Sequence, residues 1–169
     1  MPDWLSAFVQ AYGPLITPGA ILISASVAVW AIFYNQGIAR RRATVDLIMD
    51  EKRNQEFLRA RKVVRDLHEA NAQFAKFALL ENVGSPENEA ILTVLNAREF
   101  VAVGIREGAF DEETVKRLQY SVFIRDWNAL QTYIMEFRKS RGYPTLFQDF
   151  EWLAKKWIAD PIKAETPKQ

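Results

Sequence analysis

Residues 4–39 carry no charged side chain across 36 consecutive positions, and the run stops abruptly at Arg40-Arg41-Arg42. No other feature of the chain restricts its fold so tightly. Its densest part, ITPGAILISASVAVWAIFY, covers residues 16–34. A helix rising 1.5 Å per residue crosses a hydrocarbon core of about 30 Å in roughly 20 residues, so residues 16–39 are long enough to span. An unpaired charge inside such a span would cost about 2.5–3.5 kcal/mol on insertion scales, which gives the absence of charge its weight. Thr17 is placed to cap the helix, with Pro18 at its first position, where the missing N–H is not needed. Trp30 and Tyr34, with Phe33, suit the aromatic belt at a membrane interface, and Arg40, Arg41 and Arg42 flank the span on its C-terminal side.

Two other readings of the run are open to a sequence. A cleaved signal peptide calls for a basic leader, whereas Met1-Pro2-Asp3 offers an acid and no Lys or Arg. A buried core helix of a soluble domain rarely goes 36 positions without a charge. The flanks set an expected orientation: three arginines against a lone Asp3 place the C-terminal side in the cytoplasm and the N-terminus outside. The span then sits in the inner, cytoplasmic membrane, and the arginines attract anionic headgroups at about 1 kcal/mol per basic residue.

After the span come residues 40–169, enough for one modest domain with a core of its own. They hold 22 Lys and Arg against 20 Asp and Glu, every acid but Asp3, a net charge of +2. That balance argues against a nucleic-acid-binding module. The chain has no cysteine and one histidine, His68. Disulfide frameworks, thiolate chemistry, His-based metal sites and a Ser-His-Asp triad are therefore not expected. Seven glycines scattered singly make no phosphate-cradling loop. No catalytic residue, cofactor or metal site is assigned.

Ahead of the span, Trp4, Leu5, Phe8, Val9 and Tyr12 recur at helical spacing. This short segment, residues 1–15, either lies in the outer interface or simply lengthens the span. Residues 40–56 read as a juxtamembrane connector ending in the polar run 50–56, taken as solvated. Asp46, Asp50 and Glu51 in it are read as solvated helix charge rather than a metal site. The domain proper, residues 57–160, divides into about four helices, followed by a flexible tail at 161–169. The first is expected over 54–80, with Phe57, Val64, Leu67, Asn71, Phe74 and Ala78 on one face and Val83-Gly84 as its stop. Ser85-Pro86 opens a second, to residue 107, apolar on several faces and hence expected at the centre. Asp111 caps a third, over 112–139, whose inner stripe runs through Val115, Leu118, Val122, Phe123, Trp127, Leu130, Ile134 and Phe137. Gly142-Tyr143-Pro144 turns the chain, and Thr145 caps a last helix with Phe147, Phe150, Leu153, Ala154 and Trp157 inward. No strand-like alternation and no repeat is visible. The fold class is all-α, an N-terminal transmembrane helix followed by a cytoplasmic helical bundle.

Within the second, most apolar helix sit Asn96, Arg98 and Glu99. A buried carboxylate must be paired, or its pKa rises, and Arg125 and Arg138 on the next helix are the expected partners of this buried polar cluster. Its expected role is an internal ion pair fixing helix register; a ligand pocket or proton relay is the other reading. Trp152 falls between the inward positions of the last helix and is expected at the surface, as an interface residue.

Three segments carry a resemblance: Arg41-Arg42-Ala43-Thr44-Val45-Asp46-Leu47-Ile48; Leu95-Asn96-Ala97-Arg98-Glu99 with Gly104-Ile105 and Gly108; and Tyr143-Pro144-Thr145-Leu146-Phe147 with Phe150-Glu151. With the N-terminal span, they make the chain similar over most of its length to bacterial and phage single-span membrane proteins. Those proteins form a family known only as domain of unknown function 4760. The resemblance implies an anchored helical domain and supplies neither an activity nor catalytic residues. The expected function is a non-enzymatic, membrane-anchored interaction or scaffold protein whose partners are the lipid bilayer and either another protein or itself. The alternative is a phage- or defence-associated effector or exclusion factor oligomerising in the bilayer. Ser24, Ala25, Ser26 and Ala28 would give its spans a small-residue contact face.

Overall fold

The computed structural model describes the backbone of residues 3–163 and the side-chain environments of residues 18–163. Among the described residues all regular structure is helical. Five α-helices follow one another: α1 (Asp3–Arg53), α2 (Gln55–Glu69), α3 (Pro86–Arg106), α4 (Glu112–Arg141) and α5 (Gln148–Ala159). Two short 3-10 segments, Phe74–Ala78 and Leu80–Asn82, join α2 to α3. The chain divides into two units after Ala39.

The first unit is the greater part of α1. Helical backbone runs without a break from Asp3 past Pro14 and Pro18, so the start expected at Thr17 does not exist. An interior proline removes one hydrogen bond and crowds the carbonyl four residues back, which can kink a helix without ending it. The side chains of Trp4, Tyr12 and Thr17 lie outside the described residues, as does the tail beyond Lys163. From Ile21 to Ile38 the large apolar side chains stand exposed, and Trp30 stacks on Tyr34 one turn later, with ring centroids 5.4 Å apart. The helix is long and apolar enough over Pro18–Arg53 to cross a membrane.

The second unit, residues 40–169, is built on local signals. Asn54 caps α2 by accepting the Phe57 N–H at 3.0 Å, Ser85 caps α3 through the Asn88 N–H at 3.2 Å, and Asp111 caps α4 through the Thr114 N–H at 2.9 Å. Each satisfies a donor that the first helical turn leaves unpaired. Gly142 ends α4 in the left-handed conformation (φ 70°) that glycine enters without a Cβ penalty. Helix α3 packs between α2 and α5, while α4 covers the first 3-10 segment and α5. The core centres on Ile91, Leu95, Phe123, Leu130, Phe150 and Trp157. Phe123 meets Phe150 edge-on at 4.9 Å, the geometry that aromatic quadrupoles favour.

Three expectations need correction. The helix expected over 54–80 ends at Glu69, because Asn71 turns left-handed (φ 52°) and Gln73 is extended. Phe74 and Ala78 still reach the core, carried by the 3-10 segment rather than by a continued α-helix, and Asn71 is exposed. Leu118, placed on the inner stripe of α4, is exposed, as are Phe100 and Val103 of α3. The helix expected at the centre and most buried therefore leaves one face, that of Phe100 and Val103, largely exposed. Thr145 caps nothing; the chain enters α5 through Phe147, itself left-handed (φ 57°) and without a capping side chain.

Candidate functional site

The most deeply buried charged side chain of the domain gathers a polar network around it. Arg98, 1% exposed, leaves α3 toward the meeting point of α1, α2 and α4. Its Nε donates to Asp126 Oδ2 of α4 at 2.9 Å, and its Nη1 to Gln119 Oε1 at 3.1 Å and to Glu51 Oε1 at 3.5 Å. Gln119 Nε2 donates in turn to Glu51 Oε2 at 2.7 Å. The guanidinium lies between the rings of Phe57 and Phe123, 5.6 and 5.8 Å from their centroids. One buried cation is thus met by two carboxylates, an amide and two aromatic faces, the full set of partners that a desolvated charge requires. Glu51 stands in the segment read as a solvated connector; that reading is corrected here, since its side chain is largely withdrawn from water.

Beside this network a cavity of about 120 Å³ is lined by Ile48, Glu51, Arg61, Arg98, Gln119 and Val122, among others. Burial and the neighbouring Arg98 lower the pKa of the Arg61 guanidinium. A second, open cleft of about 430 Å³ holds His68 with Asn71, Gln73, Asn128 and Thr132. No carboxylate lines it, so the imidazole has no acid–base partner there.

Glu99 does a different job from Arg98. Its carboxylate accepts the N–H of Asp149 at 3.3 Å and of Phe150 at 2.7 Å, capping α5 from a neighbouring helix. An anion at that end also complements the helix dipole. Burial raises the Glu99 pKa, against the two backbone hydrogen bonds that lower it. The expected partners Arg125 and Arg138 are engaged elsewhere: Arg138 Nη1 donates to Glu151 Oε2 at 2.6 Å, and Arg125 lies near Asp126. Asn96 is exposed. Asn96, Arg98 and Glu99 therefore point three ways and do not form one cluster. Trp152 is half-buried rather than free, with Arg106 over its ring at 4.3 Å and Lys156 at 5.3 Å.

A third polar contact ties the start of the second unit to its body. Thr44, fully buried, accepts the Asp111 N–H through Oγ1 at 2.8 Å and donates to Arg40 O at 2.9 Å. Asp111 is held below the usual carboxylate range, chiefly by the Thr114 hydroxyl, with Arg41 and Arg40 adding to the effect. Elsewhere in the core, Asn88 Nδ2 donates to Tyr133 Oη at 2.8 Å and to Phe77 O at 2.7 Å. Burial pushes the Tyr133 hydroxyl up to about 12.

Fold and site together define a small all-helical domain, preceded by a long apolar helix and closed by internal ion pairs. The model of a domain of unknown function, DUF4760, matches residues 18–157, and the chain belongs to that family. No curated protein and no solved structure gives a match. The partners of Arg98 could not be read from sequence, because Glu51, Gln119 and Asp126 lie 47, 21 and 28 positions away. One signal was present: a lone arginine among Ile91, Val94, Leu95, Val101 and Ala102 must find anions.

Proposed function

We propose that this chain is a non-enzymatic, single-span protein of the cytoplasmic membrane in a bacterium or its phage. Its N-terminus lies outside, and its helical domain binds another protein or a second copy of itself in the cytoplasm. The observation that carries the reading is the exposed apolar surface of α1 from Ile21 to Ile38, which ends at three arginines. In water that surface would far exceed the apolar patches soluble proteins tolerate; in lipid it needs no cover. The Ser26 hydroxyl donates to Leu22 O at 2.8 Å and so is satisfied within its own helix. That favours an anchor over a span that needs a polar partner. In the domain, the buried charges of Arg98, Asp126 and Glu51 are consumed by one another, which supports a structural role for them rather than a catalytic one.

The absence of native cysteine makes the topology directly testable. Single-cysteine variants Ser6→Cys and Lys139→Cys are treated with a membrane-impermeant maleimide in intact cells and again after lysis. Labelling of the Ser6 variant in intact cells, and of the Lys139 variant only after lysis, is expected. The reverse pattern overturns the orientation, and release of the chain by alkaline carbonate overturns the anchor. Crosslinking in native membranes then separates a foreign partner from a ladder of self-crosslinks. A specific turnover by the purified full chain would overturn the non-enzymatic part.

A further inference from the structure

The cavity beside the Arg98 network is bounded by more positive charge than the network uses. Arg61 of α2 lines it together with Lys52 and Arg98. The Arg61 guanidinium lies 5.8 Å from the centre of the Phe57 ring and that of Arg98 lies 5.6 Å from the same point, so one ring supports both cations. Among the described residues Arg61 makes no hydrogen bond and no ion pair. Arg65, one turn along α2, is by contrast paired with Asp66 at 3.5 Å and Glu69 at 3.8 Å. Arg98 spends Nε on Asp126 and Nη1 on Gln119 and Glu51, and its Nη2 has no acceptor among the described residues. Both oxygens of Glu51 are already taken, one by Arg98 and one by Gln119.

Charge does not balance there. Lys52, Arg61, Arg98 and Arg125 meet two carboxylates, Glu51 and Asp126, which leaves two positive charges over. Burial, and then the nearby charge of Arg98, lower the Arg61 pKa, and Asp126 and Glu51 do not restore it. A half-buried cation beside another, without an anion of its own, burdens the fold unless something outside the chain meets it. The cavity of about 120 Å³ has room for about four water molecules at their liquid share of ~30 Å³ each. That suits a five-atom oxyanion and falls well short of the roughly 300–1,000 Å³ of a drug-sized pocket. A phosphate group carries a charge of about −1.5 to −2 at neutral pH and so closes the balance, whereas a chloride or a carboxylate closes half of it. The planar fork of a guanidinium also matches phosphate oxygens. Leu58 and Leu118, both exposed, complete the wall.

We infer that this cavity is a binding site for one phosphate group, held by the Arg61 guanidinium and Nη2 of Arg98, with Lys52 as a further cation. The inference goes beyond the proposed function and does not depend on the membrane-spanning reading of α1, because every residue of the site belongs to the second unit. The phosphate is either free or the end of a phosphomonoester whose apolar remainder rests on Leu58 and Leu118. The chemistry at the guanidiniums is the same for both.

The test uses the full chain in detergent, purified without phosphate or sulfate. It is titrated calorimetrically with sodium phosphate and with phenyl phosphate, at an ionic strength held constant with sodium chloride. Saturable binding is expected, at about one phosphate per chain. Arg61→Gln leaves the Arg98 network intact and should weaken binding about tenfold to a hundredfold, the weight of a charge-assisted hydrogen bond. Arg65→Gln removes an arginine that is already paired and should leave the affinity unchanged. Phosphate should also raise the thermal midpoint of the native chain and not that of Arg61→Gln. Tighter binding of phenyl phosphate than of inorganic phosphate identifies an ester as the ligand, and the reverse order identifies the free anion. A midpoint that phosphate moves no further than chloride does, or equal affinities in Arg61→Gln and the native chain, overturns the site and leaves the anchor standing.

Discussion

Arg98 is the residue on which the domain's electrostatics turn. A guanidinium 1% exposed is tolerable only because Asp126, Glu51 and Gln119 meet it. Removing one member of such a buried set leaves the others charged and unpaired, which costs about 3–5 kcal/mol, whereas replacing the whole set by apolar groups is often neutral. Arg98→Met is therefore expected to destabilise the domain by about that amount in denaturant unfolding of the detergent-solubilised chain. Adding Asp126→Leu should recover much of the loss. A double variant no better than Arg98→Met would show that the carboxylate was not the source of the penalty. The sequence made Arg98 visible as an anomaly in an apolar helix but could not name its partners. Pairing across three helices depends on packing that no local pattern encodes, and for the same reason Glu51 looked like one charge among many in a polar run.

At the scale of elements, the legible features are those decided within four residues. Ser85, Asp111 and Gly142 act at helix ends as their types dictate, because a cap needs only its own turn. The sequence offers Thr145 as the cap of α5, whereas the cap comes from Glu99, 50 positions before the N–H of Asp149 that it accepts. The apolar spacing over 54–80 predicts one helix, but a 3-10 segment at Phe74–Ala78 keeps apolar residues inward at a spacing close enough to 3.6 to match an α-helix. The Glu99 cap carries a pH signature. Its folded pKa is raised by burial above the unfolded value, so its contribution to stability is fully present below the unfolded pKa and is lost as pH rises through the folded one. The stability of the native chain minus that of Glu99→Gln should therefore decline as pH increases above about 4.5, the unfolded carboxylate value. A difference that rises over that window would mean that the backbone donors of Asp149 and Phe150 outweigh desolvation.

For the whole molecule, the last turns of helix α1, which belong to the second unit, are held by Thr44, Ile48 and Glu51. Thr44 and Glu51 are seven residues, two turns, apart and so lie on one side of the helix, with hydrogen bonds to Asp111 and Gln119. In mechanical terms the two fastenings make a lap joint between residues 40–53 and the rest of the second unit. Tension along the helix axis loads both fastenings in shear at once, where a peeling force would break them in turn. Pulled from its N-terminus against a tether at Lys139, the domain should yield in one rupture at a force well above that for Thr44→Ala. Two separate steps in the force trace would mean that the fastenings fail independently. A joint of this kind passes tension on residues 40–53 to Arg98 and the core, through the contact of Glu51 with Arg98.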